Sequence, residues 1–134
     1  MGLSKMFTPK TVEELEAKIA ETKQNGETWD CDLSDLNVAE IKYAFSGCTG
    51  LTSVVIPEGV TEIGENAFRG CENLKEVTLP VGVKKIDESA FNECKALETI
   101  YVPAKKADYY EKRLPEELHD KIKELEPVKK AKKK

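Results

Sequence analysis

Between Leu51 and Ala96 the apolar positions recur in the same order twice, 23 residues apart. LTSVVIPEGVTEIGENAFRGCEN is followed by LKEVTLPVGVKKIDESAFNECKA, and Leu51, Val54, Pro57, Gly59, Val60, Ile63, Ala67, Phe68 and Cys71 all reappear in the second copy. Within a copy, Val54 and Ile56 alternate with Ser53 and Val55, the two-residue period of a short half-buried strand. Pro57 has no N–H to extend a ladder and ends the strand, and Gly59 supplies the backbone freedom for the turn that follows. Val60 and Ile63 then point back inward, and Ala67-Phe68 with Cys71 predicts a single helical turn on the opposite side. One such coil cannot bury both of its faces, whereas stacked copies join them into a continuous core. The strands are therefore expected to form a parallel sheet.

The same spacing identifies two weaker copies. Residues 28–50 form a worn one, in which Cys31 and Leu33 stand for Val54 and Ile56, and Ala44, Phe45 and Cys48 match the second half. In it Ser34 replaces Pro57, and Val38 and Ile41 are displaced by one residue. Residues 97–103 begin a fourth copy, Leu97 to Pro103, in which the glycine and the Ala-Phe pair are lost. Upstream, Thr11 and Glu14 fit a capping box. Val12, Leu15 and Ile19 share a face, and Asn25-Gly26 is a stop, so a helix over about 11–24 is predicted. Downstream, Ala107, Tyr110 and Leu114 have helical spacing. Pro115 opens a second helix with Leu118, Ile122 and Leu125 as its face, ended by Pro127. The expected organisation is an N-terminal capping helix in 1–27, repeats over 28–103 (28–50, 51–73, 74–96 and partial 97–103), a C-terminal helical cap in 104–126 and a disordered basic tail in 127–134.

Composition changes this picture little. Hydrophobic residues make up 40% and charged residues 34% of 134, the balance of a soluble single domain. The net charge of −4 argues against a chain-wide nucleic-acid role, although Lys129, Lys130, Lys132, Lys133 and Lys134 crowd the tail. The longest apolar run, Val54-Val55-Ile56, is far short of the roughly 20 residues of a membrane span. The N-terminal residues contain no apolar segment of a secretory signal, and no Ser or Thr completes a myristoylation motif after Gly2. The chain contains no G-x-G-x-x-G or G-x-x-x-x-G-K sequence for a nucleotide. Ser34, Ser53 and Ser89 lack a nucleophile elbow. Asp30, Asp32 and Asp35 lack the spacing of a calcium loop. Cys48, Cys71 and Cys94 recur at the repeat period and Cys31 sits on the strand side; a row of this kind is expected to be buried free thiols rather than a zinc cluster. His119, beside Asp120, is expected at the surface, and Phe45, Phe68 and Phe91 as a ladder in the core. No cofactor or metal is expected.

The string L-x-x-V-x-I-P-x-G-V-x-x-I-x-x-x-A-F-x-x-C resembles the BspA-type (Treponema pallidum-type) leucine-rich repeat over residues 28 to about 103. The ending YVPAKKADYY is similar to the way bacterial members finish. The resemblance implies an α/β repeat fold, a short right-handed solenoid with parallel strands. It also implies the family's setting, adhesion and protein binding on the surfaces of gut and oral bacteria and of some parasitic protozoa, and it carries no catalytic motif. A cell-surface or secreted location follows from the resemblance alone.

If the copies stack in register, their outward strand positions form two columns. One runs Asp30, Ser53, Glu76, Thr99, and the other Asp32, Val55, Thr78, Tyr101. Repeat proteins use such faces for binding, and Tyr101 is the expected hot spot. The expected function is a non-enzymatic protein-interaction or adhesion module, monomeric, with a protein partner and without specific nucleic acid. The alternative is a structural spacer, or a terminal fragment of a larger surface protein, with no binding activity of its own. A complete small protein or a terminal domain is expected from the cap and tail that follow the repeats.

Overall fold

The computed structural model describes residues 6–42 and 45–125. Ala44 and the basic tail, including Pro127, lie outside the described residues. Among the described residues these elements follow one another along the chain. They are β1 (Met6–Phe7), α1 (Val12–Asn25), β2 (Trp29–Asp32), β3 (Glu40–Ile41), β4 (Leu51–Val55), β5 (Glu62–Ile63), β6 (Glu76–Thr78), β7 (Lys85–Ile86), β8 (Thr99–Val102), α2 (Ala107–Glu111), a 3₁₀ helix (Glu116–Lys121) and β9 (Ile122–Glu124).

The repeat becomes two open parallel sheets. One runs β1-β2-β4-β6-β8-β9 and the other β3-β5-β7. Pairs Ser53↔Glu76↔Thr99 and Val55↔Thr78↔Tyr101 keep the 23-residue offset. The worn copy keeps it too at Asp30↔Ser53 and Asp32↔Val55, after a bulge that sets Trp29 opposite Leu51. Thr52, the residue gained at that bulge, shares its hydroxyl proton between Trp29 O and the Asp30 carboxylate. In the second sheet Ile41 faces Ile63, an offset of 22. This is the displacement visible in the sequence, and it is recovered by the time Phe45 stacks on Phe68.

Alternation sends Cys31, Val54, Val77 and Ile100 inward, where they are essentially solvent-free. The corner residues Ile41, Ile63 and Ile86 and the ladder Phe45, Phe68 and Phe91 join them in one core. The phenylalanine rings are stacked at 5.0 and 5.4 Å between centroids. The segments around Phe68 and Phe91 are runs of hydrogen-bonded turns rather than helical turns. Cys71 N–H reaches back to Phe68 O, but Phe68 N–H donates across to Ala90 O at 2.8 Å and Gly70 N–H to Asn92 O at 2.9 Å. Amides spent on the next copy are lost to a helix, so these segments add a further seam between copies.

α1 is capped as its sequence predicts at Thr11, whose hydroxyl accepts from Glu14 N–H. The Glu14 carboxylate accepts from Lys10 N–H instead of closing back on Thr11. The buried face is Leu15, Ile19 and Thr22, while Val12 is 42% exposed. Thr22 fits there because its hydroxyl donates to Lys18 O.

The C-terminal segment differs most from expectation. Lys105 sits 23 residues after Gly82 and adopts the same positive φ, 68° against 99° for Gly82 and 96° for Gly59. The turn of the fourth copy therefore persists without its glycine. Tyr110 is fully buried, and its hydroxyl donates to Pro80 O and accepts from Val83 N–H. Burial pushes this phenol up to about 12. After the 3₁₀ helix the chain does not continue as a helix on Ile122 and Leu125. Ile122–Glu124 pairs in parallel with β8, and Leu125 is 42% exposed. The unpaired edge of β8 demands hydrogen-bond partners, and this demand outweighs the weak helical spacing.

Candidate functional site

All four cysteines are free thiols, and only Cys94 is half-buried. The Cys71 and Cys94 thiols donate to Phe45 O and Phe68 O of the preceding copy, at 3.0 and 3.1 Å. Burial pushes Cys48 and Cys94 up to about 11 and Cys31 and Cys71 further in the same direction. All four stay protonated at neutral pH, where a thiol is a poor nucleophile and a poor metal ligand. No cluster of three or more His, Cys, Asp or Glu is placed to hold a metal among the described residues. His119 is half-buried, with Nε2 2.9 Å from Leu114 O. Among the same residues no helix is long and apolar enough to cross a membrane.

The eight outward strand positions come together on one face of the six-stranded sheet. Asp30, Ser53, Glu76 and Thr99 lie side by side, as do Asp32, Val55, Thr78 and Tyr101. Glu76 is exposed and the other seven are half-buried. Their chemistry is uneven along the face. The Asp30 carboxylate accepts from the Thr52 and Ser53 hydroxyls, and Asp32 accepts from the Ser34 N–H and hydroxyl. These two acids therefore serve the local backbone and its neighbours. Val55, Thr78 and Tyr101 carry the less committed contact area. Asp35, the third acid of this stretch, pairs with Lys10 at 3.1 Å.

Two features of this face escaped the sequence reading. β9 places Lys123 beside Tyr101, which extends the second column by a cation. A shallow groove of about 370 Å³ opens at the carboxyl ends of the strands, lined among others by Val55, Thr78, Val81, Pro103, Ala104 and Leu125. Val81 is 51% exposed. The available signal was the mismatch between copies, since Val81 stands where the preceding copy has Glu58.

A family model described as a BspA type leucine rich repeat region (6 copies) matches residues 37–118, more than half of the chain. The match starts inside the worn copy and runs past residue 103, through Tyr110 and Leu114 to the 3₁₀ helix. No curated protein and no solved structure matches in the corresponding comparisons.

Proposed function

The chain belongs to the BspA-type leucine-rich repeat family, and from that premise we propose that it is a non-enzymatic module presenting its six-stranded sheet face to a protein partner. Repeats of this kind generally mediate protein–protein interaction, with the extended face of stacked strands as the contact surface. In this reading the copies coil as a short right-handed solenoid, with α1 covering one end and α2 with the 3₁₀ helix closing the other. The adhesion role that the family resemblance implies belongs to the same proposal. So does the contact set Asp30, Asp32, Ser53, Val55, Glu76, Thr78, Thr99 and Tyr101.

The observation that supports it best is the second column. Val55, Thr78 and Tyr101 are half-buried neighbours on adjacent strands, and Val55 and Thr78 also line the apolar groove. The column and the groove thus form a continuous surface around a tyrosine, the residue type that combines large area with a hydroxyl and dominates hot spots. Tyr101→Ala and Val55→Glu should each weaken partner binding by about 2 kcal/mol, roughly 30-fold, with the melting temperature held within a few degrees. Affinity capture by the wild type and both variants, read by mass spectrometry, checks this. A partner retained by the wild type and lost from both variants supports the module, a partner retained by all three would contradict the sheet face as the contact surface, and no specific partner from the wild type would favour the spacer reading.

A further inference from the structure

The connection between α1 and β2 contains an Asn-Gly dipeptide, Asn25-Gly26, whereas the asparagines at 37, 66, 73 and 92 are followed by Val38, Ala67, Leu74 and Glu93. Asn25 is the last residue of α1, and Gly26, its C-cap, takes the left-handed conformation at φ 72° and ψ 11°. Both residues are exposed, and a β-carbon built at Gly26 would meet nothing within 4 Å. The Asn25 side chain is turned back on the main chain, with Oδ1 accepting from Glu27 N–H at 2.8 Å. A donor on this oxygen draws charge from Cγ and stabilises the oxyanion that forms when a nucleophile adds there.

The nucleophile at hand is the Gly26 nitrogen, which closes a five-membered ring when it bonds to Asn25 Cγ. No β-carbon on Gly26 crowds that approach. The brake is a single hydrogen bond, Gly26 N–H to Thr22 O at 2.9 Å, which closes the end of α1. Helix ends fray, and opening one turn costs far less than unfolding the domain.

We propose that Asn25 is a site of spontaneous deamidation and isomerisation, gated by fraying of the last turn of α1. With the turn open, the Gly26 nitrogen gives its proton to hydroxide and bonds to Cγ. The Cγ–Nδ2 bond then breaks, ammonia leaves and a succinimide remains. Water opens the ring at either carbonyl, giving aspartate or isoaspartate with no change of oxidation state. Isoaspartate lengthens the main chain by one carbon just ahead of Glu27, whose carbonyl oxygen lies 2.2 Å from where a β-carbon at Gly50 would stand. The modification therefore falls beside a joint without slack. Either product also places a negative charge at the carboxyl end of α1, where the helix dipole disfavours it.

The site uses none of the sheet-face residues and stands or falls separately from the protein-binding reading. The test is incubation of the full chain at mildly alkaline pH, followed by peptide mapping with mass spectrometry, in buffer and in unfolding urea. In buffer, Asn25 should convert at least roughly tenfold faster than any other asparagine, and a Gly26→Ala variant should convert roughly tenfold more slowly. Circular dichroism of that variant reports whether α1 is intact, and the comparison among asparagines needs no variant. The rate in buffer should lie within roughly tenfold of the rate in urea, since one turn is all that has to open. Conversion led by another asparagine, or unaffected by Gly26→Ala, would overturn the site. A rate in buffer suppressed by the full unfolding equilibrium constant would overturn the gating by the helix end.

Discussion

Phe68→Ala is expected to lower the free energy of unfolding by about 3–5 kcal/mol, the range for truncating a buried phenylalanine. Phe68 is fully buried and is the middle rung of the ladder, stacked on Phe45 on one side and Phe91 on the other. Its backbone N–H is committed to Ala90 O, so the main chain is not free to collapse into the space the ring leaves. The loss has a second consequence in a repeat architecture. Each copy touches chiefly its neighbours, and a cavity in the middle copy weakens the coupling between the two ends. Urea unfolding followed by circular dichroism should therefore show a lower midpoint and a shallower transition. Phe91→Ala, at the end of the ladder and 6% exposed, should cost less. A loss below about 1.5 kcal/mol at Phe68, or a larger loss at Phe91, would contradict the ladder as the centre of the core.

Gly50→Ala should be nearly as damaging, about 3 kcal/mol, at the upper end of what overpacking does. A β-carbon at Gly50 would lie 2.2 Å from Glu27 O and 3.2 Å from its carbonyl carbon. Both are main-chain atoms, so no rotamer change relieves the clash. The segment leading into β2 must move, and with it the Trp29 N–H bond to Gly50 O, 2.9 Å in the native protein. Trp29 is the only tryptophan and is 1% exposed, so its emission should shift to the red in the variant as the joint loosens. An unchanged emission maximum and an unchanged urea midpoint would show that the close approach is not there.

What the sequence reveals and what it hides follow from how many residues each feature spends. The strands of the first sheet were legible because Val54, Val77 and Ile100 repeat the same inward alternation, and the copies check one another. The two outward columns came with them, since alternation that fixes the inside also fixes the outside. The second sheet was not legible. Its strands are two residues long, too short to carry a period. β1 was missed for the same reason. Lys105 shows a different limit. The backbone of the fourth copy keeps the turn after its glycine is gone, because Pro103 and the stacked copy before it over-determine the conformation. At Ile122 and Leu125 the spacing suited a helix, and only the waiting edge of β8 decides for a strand. The face itself was legible as positions, while Lys123 and the groove depended on that unforeseen strand.

The account rests on the 23-residue register, because a slip of one residue would turn every strand side chain to the other face and dissolve both columns. Cross-strand nuclear Overhauser contacts between backbone protons measure it directly. Contacts linking Ser53 to Glu76 to Thr99 and Val55 to Thr78 to Tyr101 are predicted, together with slow exchange of the Ile56 and Leu79 amides that donate to Thr78 O and Tyr101 O. Contacts offset by 22 or 24 residues, or fast exchange at both amides, would contradict the parallel stack and the binding face built on it.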